Sequence, residues 1–337
     1  MSALQFYLVV GSGSIARRHI ANIKALFSQS TVGCVSASGR ELTLEEVGAD
    51  IIYSNIEEAL SAEPMLAVVA SPAPLHVVQA ATLLRTGIPV LIEKPLSDSL
   101  ETFASAGEVL LANSTKIEVA YNLRFMPSAI RLKALLDEKI LGRIHSVSIE
   151  VGQYLPDWRP ASDYRENVSA RKELGGGVLL ELSHELDYLT WLFGKFDSAY
   201  CVASNSGALD IDVEDSAHAI LSREDGLVAS LHLDFLQRVP TRICKIIGET
   251  GTLVWNLLHN SISLGRASDD EDILFSDPNY NRNDMYLEEI SHFVKVAAGE
   301  RMPHVSIHQA LDTLRLIEAL RHSSIIRRVV DIGDFTS

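Results

Sequence analysis

The stretch Phe6-Tyr7-Leu8-Val9-Val10-Gly11-Ser12-Gly13-Ser14-Ile15-Ala16 decides the fold. Five consecutive apolar residues, rich in aromatic and β-branched types, read as a strand buried on both faces. A glycine turn follows, and Ile15 to Leu26 then carries a helical pattern. In such a strand-turn-helix unit Gly11 permits the tight turn and Gly13 removes the side chain that would block a pyrophosphate. Ala16 lets the helix lie close to the strand. The phosphates of a dinucleotide then rest on unpaired N–H groups at the positive helix end. Gly11, Ser12, Gly13, Ser14, Ile15 and Ala16 are therefore the candidate cofactor-binding turn. The alternative, an ordinary glycine turn, is disfavoured by this setting, where a strand leads in and a helix leads out.

Outward from this unit the same rhythm continues. Strand-like Thr31 to Val35, Ala67 to Ala70, Val90 to Ile92 and Ile117 to Ala120 alternate with helical Leu42 to Val47, Leu75 to Arg85 and Leu100 to Ala112. This alternation predicts a doubly wound parallel sheet of the Rossmann type, covered by helices. After Tyr121 the pattern changes. A helix over Pro127 to Asp137 leads to an alternating strand at Ile144 to Val151, a loop over Gln153 to Leu174, and a helix over Leu179 to Phe193. Strand-like runs then follow one another near Ala199 to Ser204, Ser216 to Leu221, Val228 to Phe235, Arg242 to Ile247 and Gly251 to Asn256, which predicts a large, mainly antiparallel sheet. Helices over Met285 to Ala298 and Ser306 to Ser323 close the chain. The expected class is α/β, with a Rossmann domain over 1–122 and an α+β substrate and oligomerisation domain over 123–337.

Composition narrows the function. The 337 residues, 47% hydrophobic, suffice for two cores. A formal charge of -15 disfavours nucleic acid and anionic membranes as partners. Cys34, Cys201 and Cys244 form no CxxC pair, so neither a zinc site nor a disulfide framework is expected, and a reducing cytoplasm fits. The N-terminal residues lack a basic region and a cleavage site, so no secretory signal is expected. Met65 to Leu84 is uncharged and about 20 residues long, enough for a bilayer, but Pro72 and Pro74 make strand, turn and helix the better reading.

A dinucleotide domain that binds NAD places an acid about 20 residues past the turn, on the ribose hydroxyls. Here Ser36-Ala37-Ser38-Gly39-Arg40 offers no carboxylate, whereas Ser36, Ser38 and Arg40 can hold a 2′-phosphate. NADP is slightly favoured over NAD; the alternative is that Arg40 is a solvated loop charge.

Glu93-Lys94-Pro95 ends the strand Val90 to Ile92, at the carboxyl edge where ligands bind in doubly wound folds. With the opening Gly11 to Ala16 it resembles the lysine motif of the Gfo/Idh/MocA family, which includes glucose-fructose oxidoreductase and inositol dehydrogenase. Ser71-Pro72 with His76, Tyr121-Asn122-Leu123-Arg124-Phe125, Gly175-Gly176-Gly177, His184 with Asp187, and Glu289 to Phe293 extend the likeness over nearly the whole chain. The resemblance implies that Lys94 points into the site beside an often cis peptide to Pro95, and that the open sheet mediates contacts in a homo-oligomer, a dimer or tetramer. It also implies cofactor contacts at Ser71, Pro72, His76, Glu93 and Lys94, and substrate positioning by Tyr121, Asn122 and Arg124. An ammonium in that place hydrogen-bonds the reacting hydroxyl and stabilises the alkoxide; Glu93 orients it or meets the nicotinamide ribose.

Gly175-Gly176-Gly177 feeds a helix that carries His184, an imidazole suited to accepting a hydroxyl proton near neutral pH. Many family members have Asp four residues earlier, where this chain has Leu180. Glu181 shares a helix face with His184 and can reach the same space, or the chemistry is altered. Asp187, three residues on, either orients His184 or takes a helix-surface or capping role. Catalytic candidates are thus Lys94, His184, Glu181 and Asp187. In the preceding loop, Trp158, Arg159, Tyr164 and Arg165 suit a sugar ring and an anionic group, as in a nucleotide sugar or sugar acid; an oligomer contact is the alternative. His218, His232, Trp191 and Phe193 read as structural. His292, His304 and His308 form no metal set, and no metal is expected. The expected activity is hydride transfer between NAD(P) and a secondary hydroxyl of a sugar derivative. The alternatives are a non-catalytic dinucleotide sensor or an enzyme that recycles a bound cofactor within one cycle.

Overall fold

The computed structural model describes residues 5–267 and 271–335. The described chain divides into two compact units: residues 5–122 together with Asn283–Leu314, and Leu123–Arg282 together with residues 315–335.

The first unit opens with β1 (Phe6–Val10), α1 (Ser14–Leu26), β2 (Thr31–Val35), α2 (Leu44–Val47), β3 (Ile51–Tyr53) and α3 (Ile56–Leu60). It continues through β4 (Leu66–Val69), α4 (Ala73–Arg85), β5 (Val90–Glu93), α5 (Leu100–Ala104), α6 (Gly107–Ala112) and β6 (Ile117–Ala120). The strands form one sheet in the order β3-β2-β1-β4-β5-β6, with every pair parallel. This is the doubly wound order, with its switch point between β1 and β4. Successive residues of β1 enter different cores. Leu8 and Val10 pack with Val69, Val77 and Ile92, whereas Tyr7 and Val9 pack with Ile20, Ile23 and Val68. Burial on both faces explains the unbroken apolar runs.

Two local features depart from the reading of the sequence. The single helix expected over Leu100 to Ala112 is split into α5 and α6 at Ala106, whose backbone leaves the helical region (φ -148°, ψ 12°), and the Phe103 ring packs where a Cβ on the following Gly107 would lie, 2.5 Å from a ring carbon. The elements β3 and α3 were not anticipated, although Asn55 caps α3 by accepting from the Glu58 N–H at 2.8 Å while Glu58 accepts from the Ser54 N–H at 2.8 Å. That reciprocal capping pattern is legible in Asn55-Ile56-Glu57-Glu58.

The second unit contains α7 (Pro127–Asp137), β7 (Ile144–Gly152), α8 (Val178–Glu181), α9 (Ser183–Phe193), β8 (Ser198–Ser204), β9 (Ser216–Ser222) and β10 (Val228–Asp234). Next come β11 (Thr241–Gly248), β12 (Thr252–Asn256), β13 (Ser261–Gly265) and β14 (Glu271–Ser276). Helices α10 (Asp284–Ala297) and α11 (Ile307–Ile326) and the short β15 (Val330–Asp331) end the described chain. The nine strands run β14-β13-β12-β11-β7-β10-β9-β8-β15, and only β7 and β10 pair in parallel. One face is buried through alternating residues such as Ala217, Ala219 and Leu221 of β9 and Trp255 of β12, whose indole donates to Ser128 Oγ at 2.8 Å. The other leaves Val202, Ile220, Val228 and Ile247 exposed.

The first unit also draws on the C-terminal part of the sequence. Ile290, Phe293 and Val296 of α10 join the core beside α1, and Ile307, Leu311 and Leu314 of α11 join the core beside α4. A helix-bearing segment far along the chain therefore completes the N-terminal sheet.

Candidate active site

Gly11 has φ +126°, and a Cβ there would lie 2.4 Å from the carbonyl oxygen of Ala70, so only glycine fits where β1 passes the end of β4. Its N–H donates to Val35 O at 2.8 Å, which ties the turn to β2. Gly13 caps α1 in an extended conformation, and a Cβ on it would meet nothing within 4 Å. Glycine here is thus not demanded by neighbouring protein atoms; the bare backbone instead suits a phosphate group close to the helix N-terminus. Ala16 is fully buried against the sheet.

At the end of β2, Ser36 and Ser38 lie with their hydroxyls 3.4 Å apart, and Arg40 is exposed in an ion pair with Glu46. The Arg40 guanidinium, hydrogen-bonded to Glu46, holds that carboxyl below the usual range. A 2′-phosphate would have to compete with Glu46 for Arg40.

The carboxyl end of β5 carries a buried polar cluster. Glu93 is 7% exposed, yet its Oε1 lies 2.7 Å from His19 Nε2, and its Oε2 accepts the Lys94 N–H at 3.1 Å. Burial alone would push the Glu93 carboxyl upward; the His19 hydrogen bond and charge, the Lys94 charge and the Lys94 N–H outweigh burial and hold it below the usual carboxylate range. Lys94 is half-buried, and its peptide bond to Pro95 is cis. His76 is buried between two carbonyls, with Nδ1 2.8 Å from Pro95 O and Nε2 2.7 Å from Ser71 O. Burial pulls its pKa down against both contacts, and a neutral imidazole has one N–H, so it donates to one carbonyl at a time. Its ring is committed to main chain, and it fixes the ends of β4 and β5. Ser71 donates to Gln79 Oε1 at 2.6 Å, and Pro72 is the N-cap of α4. Tyr121 and Asn122, just past β6, are both buried.

In the second unit, Leu182 interrupts the expected helix between α8 and α9. His184 is half-buried in the first turn of α9, and Glu181, at the end of α8, accepts the Ser169 hydroxyl at 3.0 Å. Leu180 is buried. Asp187 is neither a surface residue nor a cap: both its oxygens bind Arg124, Nε at 2.9 Å and Nη2 at 2.7 Å, and each side chain is almost fully buried. Burial raises the Asp187 carboxyl despite that guanidinium. Arg124, expected at the substrate, is thus engaged inside the unit, over the ring of Trp191 at 5.3 Å.

The loop between β7 and α8 folds into four single 3₁₀ turns. Trp158 donates to Gln153 O at 3.1 Å and packs edge-on against Phe235, and Tyr164 accepts the Asp210 N–H at 3.3 Å. Arg165 pairs with Asp163 and Asp210, and its hydrogen bonds hold Asp163 down to about 2. Arg159 is exposed. Much of the basic character read from this loop is therefore neutralised by nearby acids. His232 joins His218 (Nδ1 to Nδ1, 3.1 Å) and Asp234 (2.7 Å) at the open sheet.

Sequence reasoning passed over His19 and the buried Glu289. His19 stands eight residues after Gly11, and its helical face alone signals its direction toward the sheet. Glu289 was noted only as part of a closing motif, although a glutamate flanked by Ile290 and Phe293 on a helix face is an unusual core residue. Glu185 is also buried, bound by Arg242 at 2.8 Å. Among the described residues no three metal-ligating side chains gather, and no helix is long and apolar enough to cross a membrane.

Comparison with known proteins agrees with this architecture. An uncharacterized oxidoreductase of Synechocystis is 28% identical over 216 residues, 60% of this chain and 57% of that protein. An inositol 2-dehydrogenase of Streptomyces avermitilis is 28% identical over 205 residues, 58% of this chain and 55% of that protein. The aligned part thus spans little more than half the length of these relatives. The fold of a levoglucosan dehydrogenase, solved in complex with NADH and L-sorbose, superimposes with a TM-score of 0.85 at 18% identity, covering 99% of this chain and 100% of that one. Residues 6–121 match the oxidoreductase family with an NAD-binding Rossmann fold, and residues 129–254 match the GFO/IDH/MocA C-terminal domain. With both halves of that architecture recognised in their proper order, the chain belongs to the GFO/IDH/MocA family of oxidoreductases.

Proposed function

We propose that this protein is an NAD(P)-dependent dehydrogenase that oxidises a secondary hydroxyl of a sugar or polyol derivative, or reduces the corresponding ketone. The observation that carries this reading is the placement of Lys94. It follows β5, two strands from the glycine turn after β1, at the same carboxyl rim of one sheet, about 10 Å away at the usual strand spacing. A buried carboxylate, Glu93, backs it.

Gly11 to Ala16 and the N-terminus of α1 would hold the diphosphate, with Ser71 and Pro72 alongside. When bound, the dinucleotide supplies a hydride acceptor at the nicotinamide C4. With the hydride leaving for the dinucleotide, the task left to this chain's residues would be to hold the substrate oxygen and take up its proton. Lys94 hydrogen-bonds that oxygen and stabilises its developing negative charge. His184 accepts the proton, with Glu181 as its candidate partner; Asp187 is assigned to Arg124 instead. Tyr121, Asn122, Trp158, Arg159 and Tyr164 remain candidate substrate contacts.

The absence of an acid over Ser36 to Arg40 supports NADP, while the Arg40–Glu46 pair reduces that advantage, so both dinucleotides should bind. Exposed Val202, Ile220, Val228 and Ile247 support a homo-oligomer formed through the nine-stranded sheet, which light scattering after size exclusion would test. Buried free thiols at Cys34, Cys201 and Cys244 suit the cytoplasm.

Inositols, neutral sugars, sugar acids and nucleotide sugars should be assayed with NAD and NADP. Lys94→Ala should lower turnover at least about 1000-fold and leave dinucleotide affinity within about threefold, the separation expected for a group acting on developing charge. Normal turnover by a folded Lys94→Ala protein would overturn the assignment. Leu180, buried where many relatives carry Asp, favours a second reading, a dinucleotide-binding protein without turnover. Tight dinucleotide binding with no activity on any substrate would select it. Reduced nicotinamide retained through purification would instead indicate a recycled cofactor.

A further inference from the structure

The open face of the nine-stranded sheet carries a row of side chains that the proposed reaction leaves unused. Val202 of β8, His218 of β9, His232 of β10 and Glu150 of β7 follow one another across adjacent strands, each the direct register partner of the next. Directly opposed residues keep their Cβ atoms about 5 Å apart, so two histidines in that relation meet. Their rings lean together with centroids 4.4 Å apart, and the two Nδ1 atoms stand 3.1 Å from each other.

The second nitrogen of His232 is already engaged. Its Nε2 lies 2.7 Å from Asp234 Oδ2, and a carboxylate oxygen only accepts, so the hydrogen sits on Nε2. Asp234 is itself buried and held in place. Its Oδ1 accepts the Leu236 and Gln237 N–H groups at 2.7 and 2.8 Å, and its Oδ2 also accepts from Gln237 Nε2 at 2.7 Å. Gly152 of β7 leaves room for this network, since a Cβ there would lie 2.4 Å from both Asp234 Oδ2 and Gln237 Nε2. With Nε2 fixed as the donor, the neutral ring of His232 presents a lone pair at Nδ1, on the side of His218. A metal-bound imidazole is arranged in this way: its other nitrogen donates to a carboxylate that fixes tautomer and orientation.

We propose that His218 and His232 form a binding site for a divalent transition-metal cation of the zinc type, ligated by both Nδ1 atoms and backed by Asp234. Zn–N bonds of about 2.0–2.1 Å that close on nitrogens 3.1 Å apart meet at roughly 100°, near the tetrahedral value. The competing occupant is a single proton shared between the nitrogens; the ion replaces it with a bond to each lone pair. Imidazole suits such cations, whereas magnesium and calcium call for oxygen ligands. Glu150, exposed on the neighbouring strand, adds negative charge to the row, on a chain of formal charge -15. Asp234 is spent on its donors, so the remaining positions fall to water or to the same pair from a second copy. The ion ties β9 to β10 on the face where exposed Val202, Ile220 and Val228 support subunit contacts. The sequence alone reads both histidines as structural and leads to no metal; their register and the Asp234 contact carry the site. It is independent of the dehydrogenase reading, because no residue assigned to the dinucleotide, the sugar or the proton lies on β9 or β10.

The experiment is calorimetric titration of zinc chloride into the full-length protein, stripped of metal by a chelator that is then dialysed away. The wild type should bind one ion per chain, or one per two chains where a second copy completes the site. Its dissociation constant should be on the order of 10 μM, as half the ligand set of a structural zinc site would give. His218→Ala and His232→Ala should each weaken binding at least about 10-fold, and Asp234→Asn about 10-fold through the lost carboxylate. His308→Ala, which removes another exposed histidine, should leave affinity within about twofold. The two ring variants change side chains on an open sheet face and should melt with the wild type, so lost binding reports the site and not the fold. In zinc-soaked crystals the anomalous peak should lie about 2.0–2.1 Å from both Nδ1 atoms. No uptake by the wild type at millimolar zinc, or uptake of equal affinity and stoichiometry in the His218→Ala, His232→Ala double variant, would overturn the proposal. An anomalous peak confined to other residues would do the same.

Discussion

Glu289 and Asp187 show how single buried charges constrain this molecule. Glu289 has a carboxyl raised by burial, so the unfolded chain ionises first as pH rises. The folded state therefore loses stability above the ordinary carboxyl value near 4.5, by about 1.4 kcal/mol per pH unit until Glu289 itself titrates. Glu289→Gln should remove this slope, equal the wild type near pH 4 and exceed it in denaturant stability at pH 7 to 8. Parallel stability curves for the two proteins would show that Glu289 is ionised after all. The Arg124–Asp187 pair is a different case: deleting one partner strands a buried charge, and Asp187→Ala should cost about 3–5 kcal/mol. Lys94→Ala, at a half-buried site, should leave the melting temperature close to the wild-type value, so calorimetry of the two variants separates a structural carboxylate from a chemical amine.

The β1-turn-α1 element contains two glycines with different duties. Gly11 answers to the protein, since its φ is positive and Ala70 O stands 2.4 Å from any Cβ. Gly13 has an ordinary φ of -72° and nothing within 4 Å of a built Cβ, so no protein atom requires a glycine there, and we propose that its bareness leaves room for the phosphates. Gly13→Ala should melt with the wild type yet bind NAD at least about 10-fold more weakly, whereas Gly11→Ala should lose stability and binding together. Isothermal titration combined with thermal melts would check both; equal affinity in Gly13→Ala would move the diphosphate elsewhere. The strands of this sheet were legible because burial on both faces leaves no alternative to continuous apolar runs. Helix interruptions were not: the breaks at Ala106 and Leu182 are local departures of the backbone from helical geometry, which periodicity does not record.

Across the whole molecule, the decisive departure is that the N-terminal sheet is completed by residues 283–314. Phe293 and Ile290 cover the α1 side, and Ile307 and Leu311 the α4 side. A fragment of residues 1–122 should therefore expose apolar surface and fail to melt cooperatively, while Phe293→Ala in the full chain should cost about 3–5 kcal/mol. A cooperative transition by circular dichroism for the fragment alone would contradict this. From the amino-acid order alone came the glycine turn, the parallel and antiparallel halves, the Glu93-Lys94-Pro95 motif and the family likeness, because each is encoded by neighbours a few residues apart. Only the tertiary structure assigned His19 to Glu93, Arg124 to Asp187, Arg40 to Glu46 and α10 to the first sheet. Those pairings join residues up to hundreds of positions apart, and which donor meets a buried carboxylate depends on packing that no local pattern specifies.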